Sequence, residues 1–331
     1  MPALKQARGL AVLTLSAACV LATAVPASAG RDNQPSKPPK ESPSDEIGSQ
    51  VSFTYRSSAK SGKPMAPAGG NWSPPACWFE PKYNPKDFEK ELASHNYGGG
   101  SAGTDIHNEY FEETDGEYHQ GDKGAWYKLV KNPNASYEEY GNRCRTLRLY
   151  EWVGPADPPP PGSPVITPEI LAGLAYNRTE LPTPPVKLSP DPGRLKVNLP
   201  TKVAFEGGLD RVSVTASIDA MGVDLAATTV ATPKQLRLEA GTEFADPQTC
   251  TYDLVKSGGT YTVDSGDSGC LLTYRKSSGN GTYDLNASIT WDVTWNPTAG
   301  PDGAPVHDDL PDGETENDIP VTVKEIQSVN R

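Results

Sequence analysis

The sequence predicts a mostly β protein: an Ig-like or PKD-like antiparallel β-sandwich at the C-terminal end, preceded by a small aromatic-rich α+β domain. Three observations carry this. In the run Thr282–Trp295, TYDLNASITWDVTW, the apolar residues Tyr283, Leu285, Ala287, Ile289, Trp291, Val293 and Trp295 alternate with polar ones. A pleated strand gathers such a set on one face, and a helix of period 3.6 cannot. Short apolar stretches then recur from Val186 onward between Gly, Pro, Asp and Ser turns, as in a sandwich. Finally, fifteen of the 26 aromatic residues lie between Trp72 and Trp152, which sets that region apart.

In chain order, residues 1–29 read as a secretory signal: Lys5 and Arg8 first, an apolar run from Leu10 to Val25, and cleavage after Ala29. The apolar run is too short, and too rich in Ala and Thr, for a membrane span, and no later segment is apolar enough to cross. Residues 30–50 are Pro, Ser, Lys and Glu with little to bury, a disordered leader. In the aromatic-rich region 51–153, Asn84 is an N-cap before Pro85, and Phe88 and Leu92 share a face of a helix running to about His95. Trp126–Val130 and Arg145–Val153 read as strands. Residues 154–166 form a Pro-rich linker.

The segment 167–200 carries a connecting helix, with Thr167 as N-cap, Pro168 at N1 and an Ile166–Leu171 staple, ending near Asn177. Its first strands follow, Lys196–Leu199 among them. In the sandwich region 201–331, the expected strands include Val203–Phe205, Val212–Ile218, Lys234–Glu239, Tyr261–Val263, Leu271–Tyr274 and Ile319–Val329. Thr282–Trp295 exceeds an average strand, so it is either one long bent strand or two in tandem.

Removing the signal leaves 28 basic against 42 acidic residues, a charge of −14. This argues against nucleic-acid binding, and against anionic surfaces unless a cation bridges them. Four cysteines remain: Cys77, Cys144, Cys250 and Cys270. Export makes disulfides their default, since no CxxC or Cys–His ligand spacing exists. Of the three connectivities, sequence separation favours Cys77–Cys144 with Cys250–Cys270. Five Asn-x-Ser/Thr sequons, at Asn71, Asn134, Asn177, Asn280 and Asn286, matter only in a host that glycosylates them.

The segments NWSPPACWFEPKYNPKDFEKEL from Asn71, VITPEILAGLAYNRTELP from Val165, VNLP from Val197, CLLTYRKSSGNGTYDLNASITWDVTW from Cys270 and the terminal VKEIQSVNR resemble a family of uncharacterised secreted actinobacterial proteins. Some members of that family carry an enoyl reductase label. The resemblance covers most of the chain beyond residue 29. It departs at Thr201–Ala204, where the family has a Trp-rich strand. It implies a compartment and a fold, not an activity.

The reductase label finds no support in the residues. Gly98, Gly100 and Gly103 fit G-x-G-x-x-G, but a dinucleotide fingerprint needs a strand before it and a helix after it in a βαβ unit, and a helix precedes it here. No cofactor is expected. Gly266-Asp267-Ser268-Gly269 resembles a serine-protease nucleophile motif, but the His signature that should accompany it is missing, so a turn beside Cys270 is favoured.

The acidic segment Asp105–Asp122 is the best enzyme candidate, with His107, Glu109 and His119 as possible metal ligands or acid–base groups, although its spacing matches no established ligand motif and an acidic solvated loop is the favoured reading. The Asp308–Glu314 segment lacks EF-hand spacing and reads as a solvated hairpin tip. Trp72, Tyr83, Tyr97 and Trp126 could form an exposed recognition patch. The expectation is therefore a secreted, non-enzymatic extracellular or cell-envelope binding or structural protein with an unknown envelope partner. The alternative is a secreted hydrolase or metal-dependent enzyme that uses 105–122.

Overall fold

The computed structural model describes residues 49–56, 62–68, 75–95, 101–155, 161–264, 270–306 and 310–326. Its N-terminal elements are β1 (Ser52–Arg56), β2 (Cys77–Tyr83), α1 (Pro85–His95), α2 (Ser101–Glu113), β3 (Ala125–Lys131), α3 (Tyr137–Arg143), β4 (Tyr150–Val153) and α4 (Pro168–Asn177). Then come β5 (Val186–Ser189), β6 (Pro200–Phe205), β7 (Val212–Ala220), β8 (Val223–Glu239), β9 (Thr249–Ser257), β10 (Thr260–Val263), β11 (Leu272–Tyr274), β12 (Tyr283–Asn296) and β13 (Gly313–Val321). Two-residue strands are named by their residues. With 47% strand against 15% helix, the protein is mostly β, its antiparallel sheets forming a sandwich with half-barrel-like curvature.

The alternating run is the single 14-residue strand β12. Leu285, Ala287, Ile289, Trp291, Val293 and Trp295 are all buried, and Trp291 donates its indole N–H to Thr315 Oγ1 at 3.0 Å. Beside it runs the 17-residue β8, pairing from Thr228↔Asn296 to Glu239↔Asn286, with a register shift between Pro233 and Gln235. Proline has no N–H for the ladder, so a bulge is where a long inner strand can hold one. On its other edge β8 pairs with β7 before the bulge and with β9 after it. One bent strand thereby serves two neighbours, and the sheet curves.

Each half of this sheet has its own cover. Beyond the bulge, Leu236, Leu238, Ile289 and Trp291 share a core with Leu188, Leu272 and Tyr274 of the opposing sheet, which runs Ala245–Asp246, β11, β6, β5. Before it, Val214, Ala216, Ile218 and Ala227 pack with Leu171, Leu174 and Ala175 of α4 and with Trp78, Phe79 and Tyr127 of the sheet β2-β3-β4. Thr229 Oγ1 donates to the Ala172 carbonyl at 2.9 Å, which anchors α4 on β8.

The division at residue 153 is crossed by both pairing and packing. β1, from the aromatic-rich region, is the edge partner of β7 along Ser52↔Ser217 to Arg56↔Ser213. All the described residues lie within one compact unit, Pro38–Arg331. Both disulfides are present, Cys77–Cys144 and Cys250–Cys270, with Cα separations of 6.2 and 5.6 Å.

Local signals hold where they are strong. α1 begins as read, with Asn84 Oδ1 accepting from Asp87 N at 2.9 Å. α4 spans Pro168–Asn177, with Thr167 Oγ1 accepting from Ile170 N. Several expectations need correction. The strand expected from Arg145 shortens to Tyr150–Val153, because α3 (opened by a Ser136/Glu139 capping box) is followed by a turn in which Leu147 N donates to the Cys144 carbonyl at 3.0 Å. The first part of the acidic segment is helix, not loop. The supposed hairpin tip ends inside β13, where Glu314 pairs with Thr290. The stretch Lys196–Leu199 gives a two-residue strand, Leu195–Lys196, followed by a turn with Asn198 at φ +61°.

Glu80, fully buried on β2, fixes how the chain reaches β1. It accepts from Trp78 Nε1 at 2.6 Å, Ser49 Oγ at 2.7 Å and Gln50 N at 2.7 Å. Glu80→Gln turns half of this acceptor-only group into a donor facing donors. We expect a loss of about 1–3 kcal/mol, read as a lower urea midpoint. An unchanged midpoint would mean the carboxylate is dispensable.

Candidate functional site

Among the described residues, Phe88, Tyr110, Tyr118, Trp126 and Tyr150 form a buried aromatic cluster. Phe88 of α1 stacks on Trp126 of β3 at 4.0 Å and 15° and meets Tyr110, Tyr118 and Tyr150 edge-on at 5.5, 6.1 and 5.1 Å. Trp126 is 1% exposed, and its indole N–H donates to the Tyr118 carbonyl at 3.1 Å. Neither its face nor its N–H is therefore open to a ligand. Tyr83 lies opposite Trp126 in the β2–β3 pairing and is partly exposed at the edge of the cluster. Trp72 and Tyr97 lie outside the described residues, as do Gly98, Gly100, Gly266–Gly269, Asp308 and residues 1–48.

Tyr83 takes part in a polar network at that edge. Glu91 of α1 accepts from Tyr150 Oη at 3.1 Å and Lys128 Nζ at 3.3 Å, and it also pairs with the Tyr83 hydroxyl. Burial works against the Glu91 charge, but the bonds from Tyr83 and Tyr150 and the Lys128 cation outweigh it and hold the carboxyl below its ordinary value of 4.5. Burial first, and then Glu91, push both tyrosines above their ordinary value of 10.0.

The signs follow from linkage. A carboxylate depressed by folding stabilises the protein above pH 4.5, and that contribution is lost as pH falls through its folded value. A tyrosine raised by folding stabilises below pH 10.0, and that contribution is lost as pH rises toward its folded value. We therefore expect the difference in urea midpoint between wild type and Glu91→Gln to shrink as pH drops below 4.5. Tyr150→Phe should flatten the alkaline limb. A difference constant across pH would contradict this network.

The acidic segment is held together by contacts among its own and neighbouring side chains. Arg148 donates to Glu109 Oε1 at 2.9 Å, grips Glu113 with both terminal nitrogens, and lies 4.8 Å over the Tyr110 ring. His107 stacks near Phe111 at 5.9 Å. His119 lies parallel to Trp152 at 4.3 Å and 3°, with Nδ1 3.1 Å from Asp122 Oδ2. The turn that presents His119 contains three non-glycine residues in the left-handed region, Asp115, Tyr118 and His119, at φ +50°, +47° and +63°. Trp126 clamps the Tyr118 carbonyl there and helps hold that conformation.

The His119–Asp122 pair could orient an imidazole for proton transfer. Among the described residues, however, the ring has no hydrogen bond to a Ser, Thr or Cys nucleophile. Among the described residues, no three His, Cys, Asp or Glu side chains converge as metal ligands, and Glu109 is taken up by Arg148.

One concave feature escaped the sequence reading. Where β1, the approach to β7 and the β9–β10 hairpin meet, a cavity of about 270 Å³ is lined by Arg56, Arg211 and Lys256, with Asp210, Ser213 and Tyr261. These residues are spread from Arg56 to Tyr261 and share no motif, so only the strand pairing brings them together. A second cavity of about 320 Å³ adjoins it, sharing Arg211, Val230 and Pro301. Among the described residues no helix is long and apolar enough to cross a membrane. Comparison of the chain with protein-family models, with curated proteins and with solved structures returns no match.

Proposed function

We propose that this is an exported, non-catalytic binding or structural protein of the extracellular space or cell envelope, released by cleavage after Ala29. Two disulfides and the lack of a membrane-crossing helix among the described residues fit that compartment. The observation that carries the non-catalytic part is the fate of the 105–122 groups. Glu109 and Glu113 neutralise Arg148, and His119 lies on Trp152 beside Asp122. The sequence resemblance to secreted actinobacterial proteins agrees with this reading and adds no activity.

The His119–Asp122 pair on a strained turn favours the rival, a secreted hydrolase. The two separate in a screen of envelope polymers and generic ester and peptide substrates. The binding reading expects no turnover. Turnover by the wild type that is lost in His107→Ala or His119→Ala would establish the hydrolase instead.

A further inference from the structure

We propose that the groove between β1, β7 and the β9–β10 hairpin binds a phosphate ester, its phosphate held by Arg56, Arg211 and Lys256. The proposal rests on the binding reading above and names its ligand class.

The strand pairing builds the site. Arg56 ends β1 opposite Ser213 of β7, and Lys256 on β9 faces Tyr261 on β10. Leu209 and Tyr261 exchange backbone hydrogen bonds of 2.9 and 2.7 Å, which draws the approach to β7, and with it Arg211, against the hairpin. Gly208 allows this closeness, since a Cβ there would overlap the Thr260 side chain. Three cations from three separate segments thus face one hollow.

Their charges are poorly balanced. Arg211 reaches Asp302 only at 3.6 Å, in an exposed pair, and Asp210 is the one carboxylate lining the first cavity. Among the described residues, no carboxylate comes within salt-bridge distance of Arg56 or Lys256. In a chain with 30 basic and 42 acidic residues, such a convergence stands out against the overall field. Like charges around a cavity repel unless an anion enters between them.

Shape selects the anion. A carboxylate offers two coplanar oxygens, whereas a tetrahedral phosphate offers acceptors in several directions, matching donors that arrive from different strands. The adjoining cavity, with Thr232, Thr294 and Asn296 in its wall, suits the polyol or sugar that such a phosphate carries.

The test is calorimetric titration of the full chain at low salt with glycerol 3-phosphate, inorganic phosphate and acetate. We expect glycerol 3-phosphate to bind at least as well as inorganic phosphate, and acetate far more weakly. Arg56→Ala and Lys256→Ala should each weaken phosphate binding about tenfold with an unchanged near-UV spectrum, the size of one lost charge-assisted contact. Arg56→Lys should keep part of the affinity. No phosphate binding by the wild type, equal affinity for acetate, or wild-type affinity in both alanine variants would overturn the proposal. If the double variant is still retained on purified cell envelope as the wild type is, the binding reading stands and the groove falls as its site.

Discussion

Replacing Trp291 by alanine is expected to cost about 3–5 kcal/mol, the range for deleting a fully buried large side chain. Trp291 is 0% exposed and lies on β12 where the sandwich core packs between the sheets. Its removal leaves a cavity between two sheets that the hydrogen-bonded strands keep from collapsing. It also strands the Thr315 hydroxyl that accepts its indole N–H, although that hydroxyl can still donate to the Pro182 carbonyl at 3.3 Å. Trp291→Phe keeps much of the volume and should cost less than half as much. The check is a pair of denaturant melts, and equal losses in the two variants would mean the indole volume is not what the core needs.

The second large effect is expected from removing the Cys77–Cys144 bridge. It closes 67 residues, against 20 for Cys250–Cys270. Chain-entropy arguments give about 4 kcal/mol for the longer loop and about 3 for the shorter. Cys77 and Cys144 are also buried together with Ala76, so the longer bridge has a packing role as well. The double variant Cys77→Ala/Cys144→Ala should therefore lower the denaturant midpoint more than Cys250→Ala/Cys270→Ala does. The reverse order would show that the bridge does not restrain the unfolded chain as the loop length implies.

What was legible in the sequence had one dry and one wet side. β12 alternates cleanly because its even positions, such as Asp284 and Asn286, face outward while the odd ones enter the cores. The helices α1 and α4 announced themselves through their caps and proline. The first half of β8 did not. Thr228, Thr229, Val230 and Ala231 are all buried in succession, so no alternation survives.

The same cause hid the N-terminal sheet. Tyr127 and Val153 face the α4 core, whereas Trp126 and Tyr150 face the α1–α2 side. A sheet buried on both faces scatters aromatics without a period, and Trp126 therefore read as a possible recognition residue. α2 was missed because within 107–113 only Tyr110 is buried, among polar and exposed neighbours that give no helical stripe. α3 could have been read from Ser136 and Glu139, since that spacing is a capping box. The cationic groove left no local trace, since its three basic residues meet only through pairing across the sheet.

The central claim is binding without catalysis, and retention on a surface tests it most directly. The purified protein is incubated with isolated cell envelope and, separately, with immobilised culture supernatant proteins, each with and without EDTA, and the bound fraction is measured. The expected result is saturable retention on envelope that survives EDTA, because the three basic side chains proposed to hold the ligand need no bridging cation. Retention that vanishes with EDTA would contradict this account by making the acidic segments cation sites, and no retention on either material would contradict the binding function itself.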